Sequence, residues 1–303
     1  MNIPAYLVKA LNGLLLAGGR TRLMNPNDTP VKEVIRNVPY VDGAHRLQRL
    51  DITIPYAEPP LPILVYIHGG AWMNGDKSTY RRICALYAQA GFVVFNVNYR
   101  LTPKYCYPVQ MQDTASAVRW VYHNCSAYGG DPSRIFLAGD SAGSHLASWY
   151  AAAAGDDALP EATGIREMIP AESLRGLLLF YGAYDMDAML GTGFPFIKVF
   201  YRACFGEDAE ACRMKADITS PLRHITAGYP PAFITCGGSD PLLPESRAFS
   251  LALGELGVQH RDLYFTKPEF PYVNHGFLNF YFFKSSRVAM RESIVFLKEH
   301  AAI

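Results

Sequence analysis

The chain has 303 residues, and its 28 lysines and arginines against 27 aspartates and glutamates leave a formal net charge of +1. Half of the residues are hydrophobic and 13% are aromatic, enough to close a large core, which excludes a disordered chain. That charge balance gives no electrostatic reason to expect a nucleic acid or an anionic membrane as partner. Six cysteines, at 84, 106, 125, 204, 212 and 236, form no CxxC pair and no regular framework. In a chain this long they read as free buried thiols in a reducing compartment, cytoplasmic rather than secreted.

The first 30 or so residues place Ile3, Leu7, Leu11, Leu14 and Leu15 near helical spacing, which predicts an amphipathic helix. Leu11 to Gly18 is apolar and follows Lys9, but Asn12 and Gly13 interrupt it and no A-x-A-like site follows. It does not read as a signal peptide. No stretch approaches the ~20 apolar residues of a membrane-spanning helix, so no integral membrane segment is expected. Strands are then predicted at Val34–Tyr40, Leu47–Ile54, Ile63–Ile67, Phe92–Asn98, Ile135–Ala138, Leu177–Tyr181, Ala232–Cys236 and Asp262–Phe265. Between several of them lie helical stretches at Ser78–Ala90, Met111–Tyr128, Ser141–Ala154, Glu245–Leu256 and Leu278–His300. Such alternation predicts an α/β fold, a mostly parallel eight-stranded sheet covered on both faces. The first two strands lack an intervening helix and should form an antiparallel hairpin. The long aromatic segment 183–228 does not fit the alternation. With residues 1–34 it is expected to form a helical cap over the sheet's C-terminal edge, within a single domain spanning 1–303.

Gly139-Asp140-Ser141-Ala142-Gly143 fits G-x-S-x-G, between a predicted strand and an alanine-rich helix. A sharp strand-to-helix turn strains its central residue and lifts that side chain above the sheet edge, so Ser141 is the candidate nucleophile. The helix N-terminus favours negative charge developing beside it. Asp140 flanks the serine but should point away from it. Upstream, His68-Gly69-Gly70-Ala71-Trp72 follows the strand at 63–67. Glycines there let backbone N–H groups approach an oxyanion, and one such donor is worth roughly 2.7–4 kcal/mol of barrier. Gly69 and Gly70 are the expected donors, joined by Ala142, with His68 orienting the loop rather than acting as acid or base.

A serine hydroxyl needs a neutral imidazole as base, and that ring needs a carboxylate to fix its tautomer. In this kind of fold the order is serine, acid, histidine. His145 is too close to Ser141 on its own helix, His224 precedes the plausible acid, His260 abuts a strand and His300 ends the last helix. His275, in the loop before that helix, is left as the base. Asp240 follows the strand at 232–236 on the active-site edge and is the candidate acid, with Asp185 and Asp187 as competitors.

Taken together, His68-Gly69-Gly70-Ala71-Trp72, Tyr99-Arg100-Leu101-Thr102-Pro103, Gly130-Asp131-Pro132-Ser133-Arg134, the Ser141 motif, Ser239-Asp240-Pro241-Leu242 and His275-Gly276-Phe277 occur in a familiar order. From about residue 35 onward the chain resembles the hormone-sensitive-lipase-like carboxylesterases of the α/β-hydrolase superfamily. The resemblance implies a cofactor-free, metal-free esterase using Ser141, Asp240 and His275 on small-molecule esters beneath a helical cap. Ala71 stands where many members carry a third glycine. The resulting H-G-G-x-W form is also similar to kynurenine formamidases and to feruloyl or acetyl-xylan esterases, so arylformamide or acylated-sugar substrates stay open. A binding module that kept the fold and lost catalysis would be expected to lack the histidine. The sequence leaves open a homodimer.

Overall fold

The computed structural model describes residues 5–17, 29–206 and 208–301. In chain order the elements begin with helix α1 (Ala5–Ala17) and strands β1 (Glu33–Pro39), β2 (Arg49–Ile54) and β3 (Leu61–Ile67). Helix α2 (Arg81–Gln89), strand β4 (Val93–Val97), helix α3 (Val109–Asn124) and strand β5 (Gly130–Asp140) follow. Then come helices α4 (Ala142–Ala153) and α5 (Ala158–Thr163), strand β6 (Leu174–Phe180), and helices α6 (Ile197–Phe205) and α7 (Ala209–Thr219). Strand β7 (Ala232–Gly237), helix α8 (Leu243–Glu255), strand β8 (His260–Phe265) and helix α9 (Lys284–Ala301) complete the fold.

The eight strands make one sheet in the order β1-β2-β4-β3-β5-β6-β7-β8. β2 runs antiparallel to both β1 and β4, and every other neighbour is parallel. The expected hairpin and mostly parallel sheet are therefore present. Side chains alternate between faces along a strand, and helices on both sides make both faces apolar. On β3, Ile63, Val65 and Ile67 join one core with Val118 of α3, Leu146 of α4 and Phe249 of α8. Leu64 and Tyr66 face the other way, into a core with Tyr87 of α2 and Phe296 of α9.

Three expectations are corrected. On α1 the apolar stripe was placed through Leu7, yet Leu7 is 51% exposed and Val8 is buried. The helix is apolar nearly all round, so period alone could not choose its inner face. Its orientation follows Val8 and the Lys9 ammonium, which donates to the Thr102 carbonyl at 2.7 Å. Ile3, and the side chains of Leu11, Leu14 and Leu15, lie outside the described residues. The last helix begins at Lys284, not Leu278, after a short 3₁₀ turn at Phe277–Asn279. Crowded aromatic side chains are poor helix formers, and the Arg287 guanidinium takes the Tyr281 and Phe282 carbonyls that an earlier turn would use. Glu33 and Val34, assigned to the N-terminal cap segment, are the first residues of β1.

Candidate active site

β5 delivers its last residues to the C-terminal edge of the sheet, and α4 leaves at once in the opposite sense. Ser141 sits in the turn with φ 52° and ψ −118°. Such backbone costs on the order of 1–3 kcal/mol for a side-chain-bearing residue and persists only when its surroundings enforce it. Here the Ser141 N–H donates to the Phe180 carbonyl at 2.8 Å, and the Ser141 carbonyl accepts the His145 N–H at 3.1 Å. A Cβ at Gly139 would collide with the Gly143 backbone, and one at Gly143 with the Ile67 carbonyl. Both glycines of the motif are thus packing requirements of the turn.

His275 reaches Ser141 from the loop between β8 and α9. Its Nε2 lies 2.9 Å from Ser141 Oγ, and its Nδ1 lies 2.8 Å from Asp240 Oδ2. With Nδ1 donating to the carboxylate, Nε2 is left as the acceptor facing the serine hydroxyl. Asp240 follows β7, its side chain is fully buried, and its other oxygen accepts the Leu242 N–H at 2.8 Å. Tyr181 and Phe194 meet the His275 ring edge-on at 4.9 and 4.7 Å between centroids, which fixes its plane.

The other histidines that follow Ser141 in the chain spend a ring nitrogen on a backbone carbonyl: His145 on Thr219, His224 on Asp217, His260 on Val258 and His300 on Phe296. Asp185 and Asp187, the competing acids, both engage Arg223, at 2.8 and 2.9 Å.

The loop after β3 departs from one expectation. The Gly69 N–H donates to Asp140 Oδ1 at 2.9 Å and lies 3.3 Å from the Tyr80 hydroxyl, so it is not available to a substrate oxygen. The motif alone cannot say which amide faces the site, because that depends on where the chain turns. It turns one residue later, with φ of 120° at Gly70, 54° at Ala71 and 57° at Trp72. Among the described residues, the N–H groups of Gly70, Ala71 and Ala142 have no acceptor. Gly70 and Ala142 are two of the donors proposed from the motifs, and the Ala71 amide stands beside them because the chain turns at Gly70.

Several buried groups hold this strained loop. Asp140 does point away from Ser141: it accepts from the Tyr80 hydroxyl at 2.9 Å and from Gly69, and burial raises its carboxyl to about 6 despite those bonds. The Trp72 indole donates to His145 Nδ1 at 3.1 Å, and His145 Nε2 in turn donates to the Thr219 carbonyl at 2.7 Å. Burial lowers His145 to about 4, keeping the ring neutral in that relay. His68 is buried, stacks on Tyr99 at 4.4 Å, and its Nδ1 donates to the Gly69 carbonyl at 2.7 Å. The relay through Thr219 and the bond from Trp149 to the Ile218 carbonyl attach α7 to α4, while α1 is attached through Lys9.

Among the described residues, no group of three or more histidines, cysteines or carboxylates could hold a metal ion, and no helix is long and apolar enough to cross a membrane.

The BD-FAE family model matches residues 50–253 of the chain. Esterase LipQ of Mycobacterium tuberculosis is 29% identical over 271 residues, 80% of this chain and 61% of LipQ. Carboxylesterase NlhH of Mycobacterium tuberculosis is 30% identical over 246 residues, 75% of this chain and 69% of NlhH. Among solved structures, inhibited esterase B from Lactobacillus rhamnosis superposes with a TM-score of 0.86 at 20% identity, over 98% of this chain and 97% of that one.

Proposed function

We propose, from the premise that this chain belongs to the BD-FAE family of α/β-hydrolases, that it is a serine carboxylesterase acting on small carboxylic esters. One observation carries the reading. Ser141 Oγ, the His275 ring and the Asp240 carboxylate form a single hydrogen-bonded chain with links of 2.9 and 2.8 Å. The esterase and carboxylesterase names of LipQ and NlhH support esters as the substrate class.

In this reading the ester carbonyl sits over the N-terminus of α4. Ser141 Oγ attacks the carbonyl carbon while its proton passes to His275 Nε2, and Asp240 steadies the imidazolium that results. The carbonyl oxygen, now anionic, takes hydrogen bonds from the N–H groups of Gly70, Ala71 and Ala142. Collapse of the tetrahedral intermediate expels the alcohol, which takes the proton from His275, and leaves an acyl group on Ser141. Water then attacks that acyl group with His275 again as base, releasing the acid and restoring the serine. α1, α6 and α7 form the cap, and Phe194 from the cap segment bounds the site beside His275, which suits short- to medium-chain or aryl esters. Six cysteine thiols, five of them buried, support a reducing, cytoplasmic compartment.

Hydrolysis of p-nitrophenyl acetate and butyrate by the purified chain tests the reading. Ser141→Ala should lower kcat by about 10³-fold or more with the fold intact. Undiminished turnover by that variant would overturn the serine mechanism. A preference for N-formylkynurenine over both esters would replace the carboxylesterase by an arylformamidase.

A further inference from the structure

The run from Phe277 to Lys284 packs into the fold differently from a helix start. Phe277 and Leu278 are buried, but Phe280, Phe282 and Phe283 are 38%, 53% and 50% exposed. Their rings form one cluster, with centroids 4.5 Å apart for Phe282 and Phe283 and 5.9 Å from Phe280 to each. Across a cavity of about 360 Å³ stands Tyr272, 85% exposed and held at φ 61°. Isolated exposed apolar residues are ordinary, whereas a contiguous aromatic patch marks a surface that meets something apolar. His275 lines the same cavity, so the patch borders the candidate active site.

Charge says what that apolar partner carries. Lys284 places its ammonium 5.1 Å from the Phe270 ring, and Arg82 lies 4.4 Å over Tyr281. Arg287 is bonded to the backbone of the aromatic run itself. Glu269 is the one carboxylate lining the cavity. A net charge of +1 gives the whole chain no affinity for an anionic surface, but it averages over this local excess of cations. Aromatic rings fringed by lysine and arginine fit the bilayer interface. There the rings enter the headgroup region while the cations stay beside lipid phosphates.

We infer that this aromatic face seats the protein on an anionic lipid surface, with the cavity that His275 lines turned toward the bilayer. The docking does not depend on the esterase reading and is measured without turnover.

The full chain is sedimented with sucrose-loaded vesicles of phosphatidylcholine alone or mixed in equal parts with phosphatidylglycerol. The wild type should partition onto the mixed vesicles, less so onto neutral ones and less at high salt. The double variant Phe282→Ser and Phe283→Ser should bind about tenfold or more weakly, since it removes two exposed rings. Lys284→Gln should weaken binding to the mixed vesicles alone. Both variants should keep the wild-type circular dichroism and hydrolysis of soluble p-nitrophenyl acetate. Wild-type protein left in the supernatant, or equal sedimentation of the double variant, overturns the proposal. So does a wild-type dimer in size exclusion that the double variant abolishes, because a second copy would then cover the face.

Discussion

Asp140 and His145 stand on either side of Ser141 and are both buried titratable groups, perturbed in ways that oppose each other. Asp140 is raised from 3.8 to about 6, so between those values the folded state holds more proton than the unfolded chain. Its contribution to stability is therefore present at low pH and declines as pH rises through about 6. His145 is lowered from 6.5 to about 4, so there the unfolded chain holds more proton. Its contribution is present above pH 6.5 and is lost as pH falls toward 4. Because the windows overlap, wild type partly hides each effect. Unfolding in urea across pH 4 to 6.5 should separate them. The stability of wild type relative to Asp140→Asn should fall with rising pH, and that of wild type relative to His145→Gln should rise. Parallel curves for either pair would mean that the residue does not titrate between the two states in that range.

At the scale of elements, the loop after β3 is held where it is by its neighbours. Trp72 ties it to α4 through His145 and, one bond further, to α7 through Thr219. Trp72→Phe keeps most of the buried volume and removes the indole donor, leaving His145 Nδ1 buried without its partner. A destabilisation of about 1–3 kcal/mol is expected from that orphaned acceptor. The loop should lose definition with it, so kcat should fall more than KM rises, measured on a soluble p-nitrophenyl ester. An unchanged kcat would show that the loop holds its shape without this tie. The same loop marks the limit of what sequence could give. The strands were legible because both faces of the sheet are covered, so each reads as a short apolar run, as in Ile63–Ile67. Ser141, Asp240 and His275 were legible because each follows a strand at one edge. Which amide of His68–Trp72 faces outward was not, because Asp140, seventy-one residues away, takes the Gly69 N–H. The start of α9 was missed for a similar reason, since Arg287 caps carbonyls that precede it.

For the whole molecule, the thiols report on whether the layers close as described. The six cysteines are spread along the chain as thiols: Cys106 is exposed, and the other five are buried. Cys84 lies on α2 in the core it shares with Val94 of β4, Cys236 lies near the end of β7, Cys125 follows α3, and Cys204 and Cys212 belong to α6 and α7. They thus sample both faces of the sheet and the cap helices. Burial pushes the thiols of Cys84, Cys125, Cys204 and Cys236 above their ordinary value, which suppresses the thiolate that reacts. Iodoacetamide at neutral pH should therefore add one label per native chain, at Cys106, and six after unfolding, read by intact mass. A second native label on Cys204 or Cys212 would place the opening in α6 and α7, with the sheet still closed. Labels on Cys84 and Cys236 together would mean that the core between sheet and helices is open. Fewer than six labels on the unfolded, unreduced chain would mean that two of these thiols had paired, and would count against the reducing compartment proposed from them.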